Sequence, residues 1–274
     1  MSLDDLQLGK HVDYPTEYDA GLLRAIPRKR PTKGGSGAPG GFDLWRCYEL
    51  SWIAPNNLPV SGVAEITYES STPNIVESKS LKLFLGSMNG KTFAESGEVT
   101  REISCRLAET VEAKDVKVRV LSPGQWGLLL PAPIDGTCLD EADAKGGILS
   151  EDGLPEEAFA SERSEETLYT NCFRALCPVT RQPDWATVEI SYRGPKIRRE
   201  ALLRYLISFR SQKCFHEDCC ERIFEQLHKR KDGTTRMDEL KVICHFMRRG
   251  GIDLTPVRFT EGYKTSGIIR TLRQ

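Results

Sequence analysis

No apolar run in these 274 residues approaches the roughly 18 that a membrane-spanning helix needs. The opening Met1-Ser2-Leu3-Asp4-Asp5 is acidic and lacks the charged-then-apolar order of a secretion signal, which sets the expectation of a cytoplasmic protein. A basic stripe is missing as well. With 38 Lys and Arg scattered against 39 Asp and Glu, the net charge is −1, and the electrostatic footprint of a nucleic-acid binder is absent. The substrate is therefore expected to be a small molecule, with no direct nucleic-acid or membrane partner. The short runs Arg28-Lys29-Arg30 and Lys229-Arg230-Lys231 read as solvated faces. No Gly-x-Gly-x-x-Gly follows a strand-like run, which argues against a Rossmann dinucleotide site. Tight Cys-x2-Cys spacing is also lacking. The nine cysteines are odd in number and irregularly spaced, as suits free thiols in a reducing compartment rather than a disulfide framework.

The residues that are present describe an ordinary globular chain, 39% hydrophobic and 28% charged, long enough for two domains at about 150 residues each. Residues 31–41 are rich in Gly, Pro and Ser and read as a loop. A polar, acidic stretch, 140–166, reads as a linker between two modules, 1–139 and 167–274. Each half repeats one order of elements. In the first, strand-like runs at Cys47–Ile53 and Val63–Tyr68 precede helical runs at Ser80–Met88 and Glu98–Val111 and a strand at Val116–Leu121. In the second, Leu168–Phe173 and Ala186–Tyr192 read as strands, Arg198–Phe209 and His216–Leu227 as helices, and Lys241–Met247 as a strand. Val188, Ile190 and Tyr192 alternate with Thr187, Glu189 and Ser191, the period of a half-buried strand. Cys220, Ile223, Phe224 and Leu227 recur at helical spacing and form an inner face. Periodicity thus gives an α+β protein of two similar halves.

Chemistry concentrates in the second half. Cys177 lies between a strand-like run and Pro178, and Pro183 closes the same loop just before the next strand. Loops held by rigid strands are where reactive groups are commonly presented, and cysteine is the side chain most readily made nucleophilic near neutral pH. A free cysteine can also be mere packing; Cys219 and Cys220 inside a helix, and Cys47 and Cys244 inside apolar strands, are read that way. Asp184, seven residues after Cys177, can manage protons; the competing reading is a turn carboxylate after Pro183. His216 and Glu217 open a helix, where a carboxylate also favours the positive end of the helix dipole. Cys172-x4-Cys177 and Cys214-x4-Cys219 beside His216 leave a loose zinc site as an alternative.

Four separated segments share one resemblance. Cys177-Pro178-Val179-Thr180-x-Gln182-Pro183-Asp184-Trp185, Phe215-His216-Glu217-x-Cys219, Glu77-Ser78-Lys79-Ser80 and Arg248-Arg249-Gly250-Gly251 occur in the order found in the 7-cyano-7-deazaguanine reductase family of the queuosine pathway. Leu8-Gly9-Lys10, Tyr18-Asp19 and Leu50-Ser51-Trp52 also fit its long, two-module form, so the resemblance covers nearly the whole chain.

That resemblance implies two tandem tunnelling-fold modules, each ββααββ, forming antiparallel sheets with helices outside. The barrel would be completed between modules or subunits of a homodimer, with active sites at those junctions. It further implies NADPH-dependent reduction of 7-cyano-7-deazaguanine, with Cys177 as nucleophile and Asp184 as proton donor. Val76, Glu77, Ser78, His216 and Glu217 would bind the substrate. The carboxylates of Glu77 and Glu217 suit the N–H edge of an amino-pyrimidinone. Ser78, Lys79, Arg249 and Gly250 would hold NADPH, and no metal is required. The alternatives are a zinc-dependent cyclohydrolase of the same fold and a non-catalytic interaction scaffold.

Overall fold

The computed structural model describes residues 7–9, 13–29, 40–142, 153–230, 232–263 and 267–274. It is an α+β protein whose chain divides into two compact units, 1–32 with 42–130 and 248–254, and 33–41 with 131–247 and 255–274. No helix among the described residues is long and apolar enough to cross a membrane.

In the first unit, β1 (Ala25–Pro27) pairs antiparallel with β4 (Asn74–Val76), and β2 (Gly40–Ile53), β3 (Pro59–Glu69) and β5 (Lys117–Leu121) form an antiparallel set with β3 central. Alternate residues of β3, Ala64, Ile66 and Tyr68, are buried against α1 (Ser78–Ser87) and α2 (Ser96–Val111). On α2 the buried positions Val99, Ile103, Leu107 and Val111 repeat every four residues, the stripe that lets a helix lie on a sheet. One expectation fails here. Arg28 is buried, not solvated: its guanidinium pairs with Asp43, and its Nε donates to the Thr72 carbonyl at 3.0 Å. A charge can be withdrawn from water when it is paired and hydrogen-bonded in this way.

The second unit contains β6 (Thr137–Cys138), β7 (Phe159–Leu176), β8 (Pro183–Ile197), α3 (Arg199–Ser208), α4 (His216–His228), β9 (Glu239–Phe246) and, from Thr255 on, β10 (Ile252–Phe259). β7 through β10 are joined antiparallel in sequence order, and the two-residue β6 runs parallel to β7. Val188, Ile190 and Tyr192 pack with Leu202 and Leu206 of α3 and with Cys220, Ile223, Phe224 and Leu227 of α4, as the periodicity predicts. The alternate residues Thr187, Glu189 and Ser191 are buried too, so β8 is not half-buried. Glu189 is tolerated there because Lys241 Nζ lies 3.1 Å and His245 Nε2 3.4 Å from its carboxylate.

The acidic stretch 140–166 also departs from expectation, because residues 159–166 are the first half of β7. Their charges have partners on neighbouring elements. Lys196 meets Glu162 at 3.3 Å, Arg199 meets Glu166 at 3.0 Å, and Arg163 pairs with Asp238. Residues 143–152 and most of the glycine-rich 31–41 lie outside the described residues, although Gly40 and Gly41 open β2. The strand β10 carries no strong alternation and was not read from the sequence.

Candidate active site

The turn from β7 to β8 presents Cys177. Its amide donates to the Gln182 carbonyl and its carbonyl accepts from Arg181, both at 2.9 Å, closing a tight loop in which Arg181 takes the left-handed conformation, φ +58°. The Thr180 amide lies 3.4 Å from Cys177 Sγ, a backbone donor facing the sulfur. Two further backbone bonds tie this loop to the chain entering α4: Leu176 N to Gln212 O at 2.9 Å and Cys214 N to Leu176 O at 3.1 Å. They explain why segments some thirty residues apart share one site.

Asp184, the second residue of β8, is only 3% exposed, and its Oδ2 lies 3.3 Å from His216 Nε2 at the start of α4. The His216 ring stacks on Phe246 of β9, centroids 3.9 Å apart and 20° between planes, which fixes the imidazole toward the carboxylate. Glu217 follows, 4% exposed, in the first turn of α4. The second unit therefore gathers Cys177 with its turn, Asp184, His216 and Glu217 around the junction of β7, β8 and α4. The grouping puts a buried thiol, a carboxylate paired with an imidazole and a second buried carboxylate in one region of the unit.

The remaining candidates lie in the first unit. Val76 ends β4 with its amide 3.4 Å from the Tyr68 hydroxyl. Glu77 is buried as the N-cap of α1: Oε1 accepts from Lys79 N at 3.0 Å and Oε2 from Ser80 N at 2.7 Å. Burial raises its pKa above the ordinary glutamate range, with the amides opposing. Sequence reading missed this capping role, although Glu-Ser-Lys-Ser ahead of an apolar run is a recognisable helix start. Ser78 and Lys79 form the first turn of α1. Gly250 and Gly251, with φ +56° and +79°, make the turn after Arg249. A Cβ on Gly250 would come within 3.2 Å of Lys82 Nζ, one turn along α1. The Arg249-Gly250 turn thus lies beside α1 at Lys82, three residues after Lys79.

The loosely spaced cysteines have ordinary protein neighbours. The Cys172 carbonyl accepts from Arg210 at 3.1 Å. Cys214 Sγ lies 2.9 Å from Arg222 Nη1. A hydrogen bond from the Cys219 thiol, helped by Arg222, holds the Cys214 pKa below the usual thiol range. Among the described residues no group of three His, Cys, Asp or Glu side chains gathers as metal ligands do.

Comparison with known proteins places the chain in a family. Residues 14–120 match the family described as nitrile reductase, 7-cyano-7-deazaguanine-reductase N-term, and residues 183–264 match the family described as QueF-like protein. A Bordetella pertussis protein named NADPH-dependent 7-cyano-7-deazaguanine reductase is 38% identical over 280 residues, covering 100% of both chains. This chain belongs to the 7-cyano-7-deazaguanine reductase family. A Polaromonas member bearing the same name is 40% identical over 275 residues, 98% of each chain. Within the family framework, the segments holding Glu77 and Asp184 fall in the two separately matched regions, whereas Cys177 precedes the second by six residues.

Proposed function

We infer that this chain catalyses the NADPH-dependent reduction of the nitrile of 7-cyano-7-deazaguanine to 7-aminomethyl-7-deazaguanine, a step of tRNA queuosine biosynthesis. The observation that carries the inference is full-length similarity to reductases of that name, joined to a buried thiol in a turn beside the Asp184 and His216 pair.

Cys177 acts as the nucleophile. Addition of its sulfur to the nitrile carbon breaks one C–N π bond and forms a thioimide, while the proton goes to nitrogen from Asp184, oriented by His216. The Thr180 amide steadies charge on sulfur before attack and again when sulfur departs. Ser78, Lys79, Arg249 and Gly250 hold NADPH, which supplies hydride when bound. Protons for nitrogen continue to come through Asp184, and collapse of the reduced adduct returns the Cys177 thiolate. Val76, Glu77, Ser78, His216 and Glu217 bind the heterocycle, whose N–H edge matches the carboxylates of Glu77 and Glu217.

The same reading makes the two halves tandem tunnelling-fold modules in a homodimer, the second module opening with β7 at Phe159. The strand, strand, helix, helix, strand order in each half supports it. The decisive assay mixes the full chain with 7-cyano-7-deazaguanine and NADPH. Nitrile to amine requires four electrons, so two NADPH should be oxidised per amine formed. Absence of amine by mass spectrometry under those conditions would sink the reading.

A further inference from the structure

Three arginines of the second unit converge on one tryptophan. The guanidinium carbons of Arg210, Arg273 and Arg174 lie 5.1, 5.7 and 5.8 Å from the centre of the Trp185 ring. β7 and β8 place Arg174 directly across from Trp185. Arg210 arrives from the end of α3, and Arg273 from the C-terminal residues. Each guanidinium is anchored by a backbone carbonyl: Arg174 to Arg210 O at 2.8 Å, Arg210 to Cys172 O at 3.1 Å and Arg273 to Asn171 O at 2.6 Å.

These anchors use few of the five N–H donors that each guanidinium carries. Arg174 Nε is buried and, among the described residues, has no hydrogen-bond partner. Ion pairs to carboxylates form elsewhere in this unit, but among the described residues none involves these three side chains. The acidic side chain on the adjoining backbone, Asp140, is already taken by Thr170 Oγ1 at 2.5 Å and Asn171 Nδ2 at 2.9 Å. Three cations held around one half-buried ring, each preset by a carbonyl and, among the described residues, without a paired carboxylate, repel one another and favour an anion between them.

We propose that Arg174, Arg210 and Arg273 form, over Trp185, a binding site for a tetrahedral phosphate dianion. A single carboxylate is satisfied by one bidentate arginine, whereas a tetrahedral dianion can accept from several directions at once. The source of the phosphate is the 2′-phosphate of the nicotinamide cofactor or free inorganic phosphate. The first of these rests on the function proposed above.

Calorimetric titration of the full chain with NADP+, NAD+ and inorganic phosphate at low ionic strength tests the site, using Arg210→Gln and Arg273→Gln. Loss of one charge-assisted contact should weaken the cognate ligand by about tenfold or more. If the 2′-phosphate is the occupant, both variants lose NADP+ affinity while NAD+ affinity stays within about twofold of the parent. If free phosphate is the occupant, only the phosphate titration weakens. Arg273→Lys, which keeps the charge and loses the fork, should recover part of the affinity in either case. Unchanged affinity for both NADP+ and phosphate in Arg210→Gln and Arg273→Gln would overturn the site. Should a glutamine variant melt early, Arg210→Lys and Arg273→Lys carry the same comparison. A parent protein that bound phosphate here but produced no amine from the nitrile would refute the proposed function and leave this site standing.

Discussion

At the residue scale the proposed chemistry rests on a sulfur and a carboxylate presented by one turn. Cys177→Ala should abolish both turnover and the mass increase expected when the protein meets substrate without NADPH. Cys177→Ser should bind substrate and leave it unreduced; a mass shift persisting in Cys177→Ala would move the nucleophile elsewhere. Asp184→Asn preserves shape next to His216 but exchanges no proton near neutral pH, so turnover should fall by about 100-fold or more, measured as NADPH oxidation at saturating substrate. Wild-type turnover in that variant would reduce Asp184 to a strand residue that merely pairs with His216. The Cys177 turn and its aspartate were legible in the sequence, because Pro178 and Pro183 punctuate it. The partnership with His216 was not, since it depends on how α4 meets β8, thirty-two positions along the chain.

At the scale of elements, α1 shows one side chain with two candidate duties. Glu77 caps the helix through both carboxylate oxygens and is also proposed to bind substrate. Removing an N-cap costs about 1 kcal/mol, and removing a buried acceptor from a ligand costs about 1–3 kcal/mol, or roughly ten- to a hundredfold in affinity. Glu77→Ala should therefore lower both the melting temperature and the affinity for 7-cyano-7-deazaguanine. Glu77→Gln keeps an oxygen for the cap but introduces an N–H where the ligand also donates, so its affinity should fall more than its melting temperature. If Glu77→Gln binds substrate like the parent, capping is the whole of its role. Helices and strands with strong periodicity, such as α2 and β8, could be read directly. β10 and the first half of β7 could not, because their polar residues are satisfied by neighbouring strands rather than by a local pattern.

At the scale of the whole molecule, buried charges set the response to pH and to substitution. The Glu189 carboxyl is opposed by burial, yet His245 and Lys241 outweigh that and hold its pKa below the ordinary glutamate value. A depressed carboxylate pKa contributes stability above the unfolded value, about 4.3, and loses it as pH falls through the folded value. The wild type should thus lose stability below about pH 4.3, and Glu189→Gln should flatten that acid limb in urea melts recorded across pH. An unchanged acid limb would show that the Glu189 cluster contributes nothing to it. In the first unit, Asp43→Ala removes the carboxylate paired with the buried Arg28 guanidinium and should cost about 3–5 kcal/mol. Denaturant titration checks this, and a loss below about 1 kcal/mol would mean that water reaches Arg28.

By itself the sequence determined the α+β class, the repeated order of elements, the helix and strand faces built on strong periodicity, and the motif residues Cys177, Asp184, Glu77 and His216. These are properties of neighbours along the chain, where a period of two or 3.6 and a proline or glycine act locally. Tertiary structure alone decided that Arg28 is buried against Asp43, that the polar face of β8 is covered, that Asp184 meets His216, and that three arginines gather on Trp185. Each depends on strand register and helix placement bringing together groups distant in sequence. A charge reads as solvated until the fold supplies a partner that makes its burial tolerable.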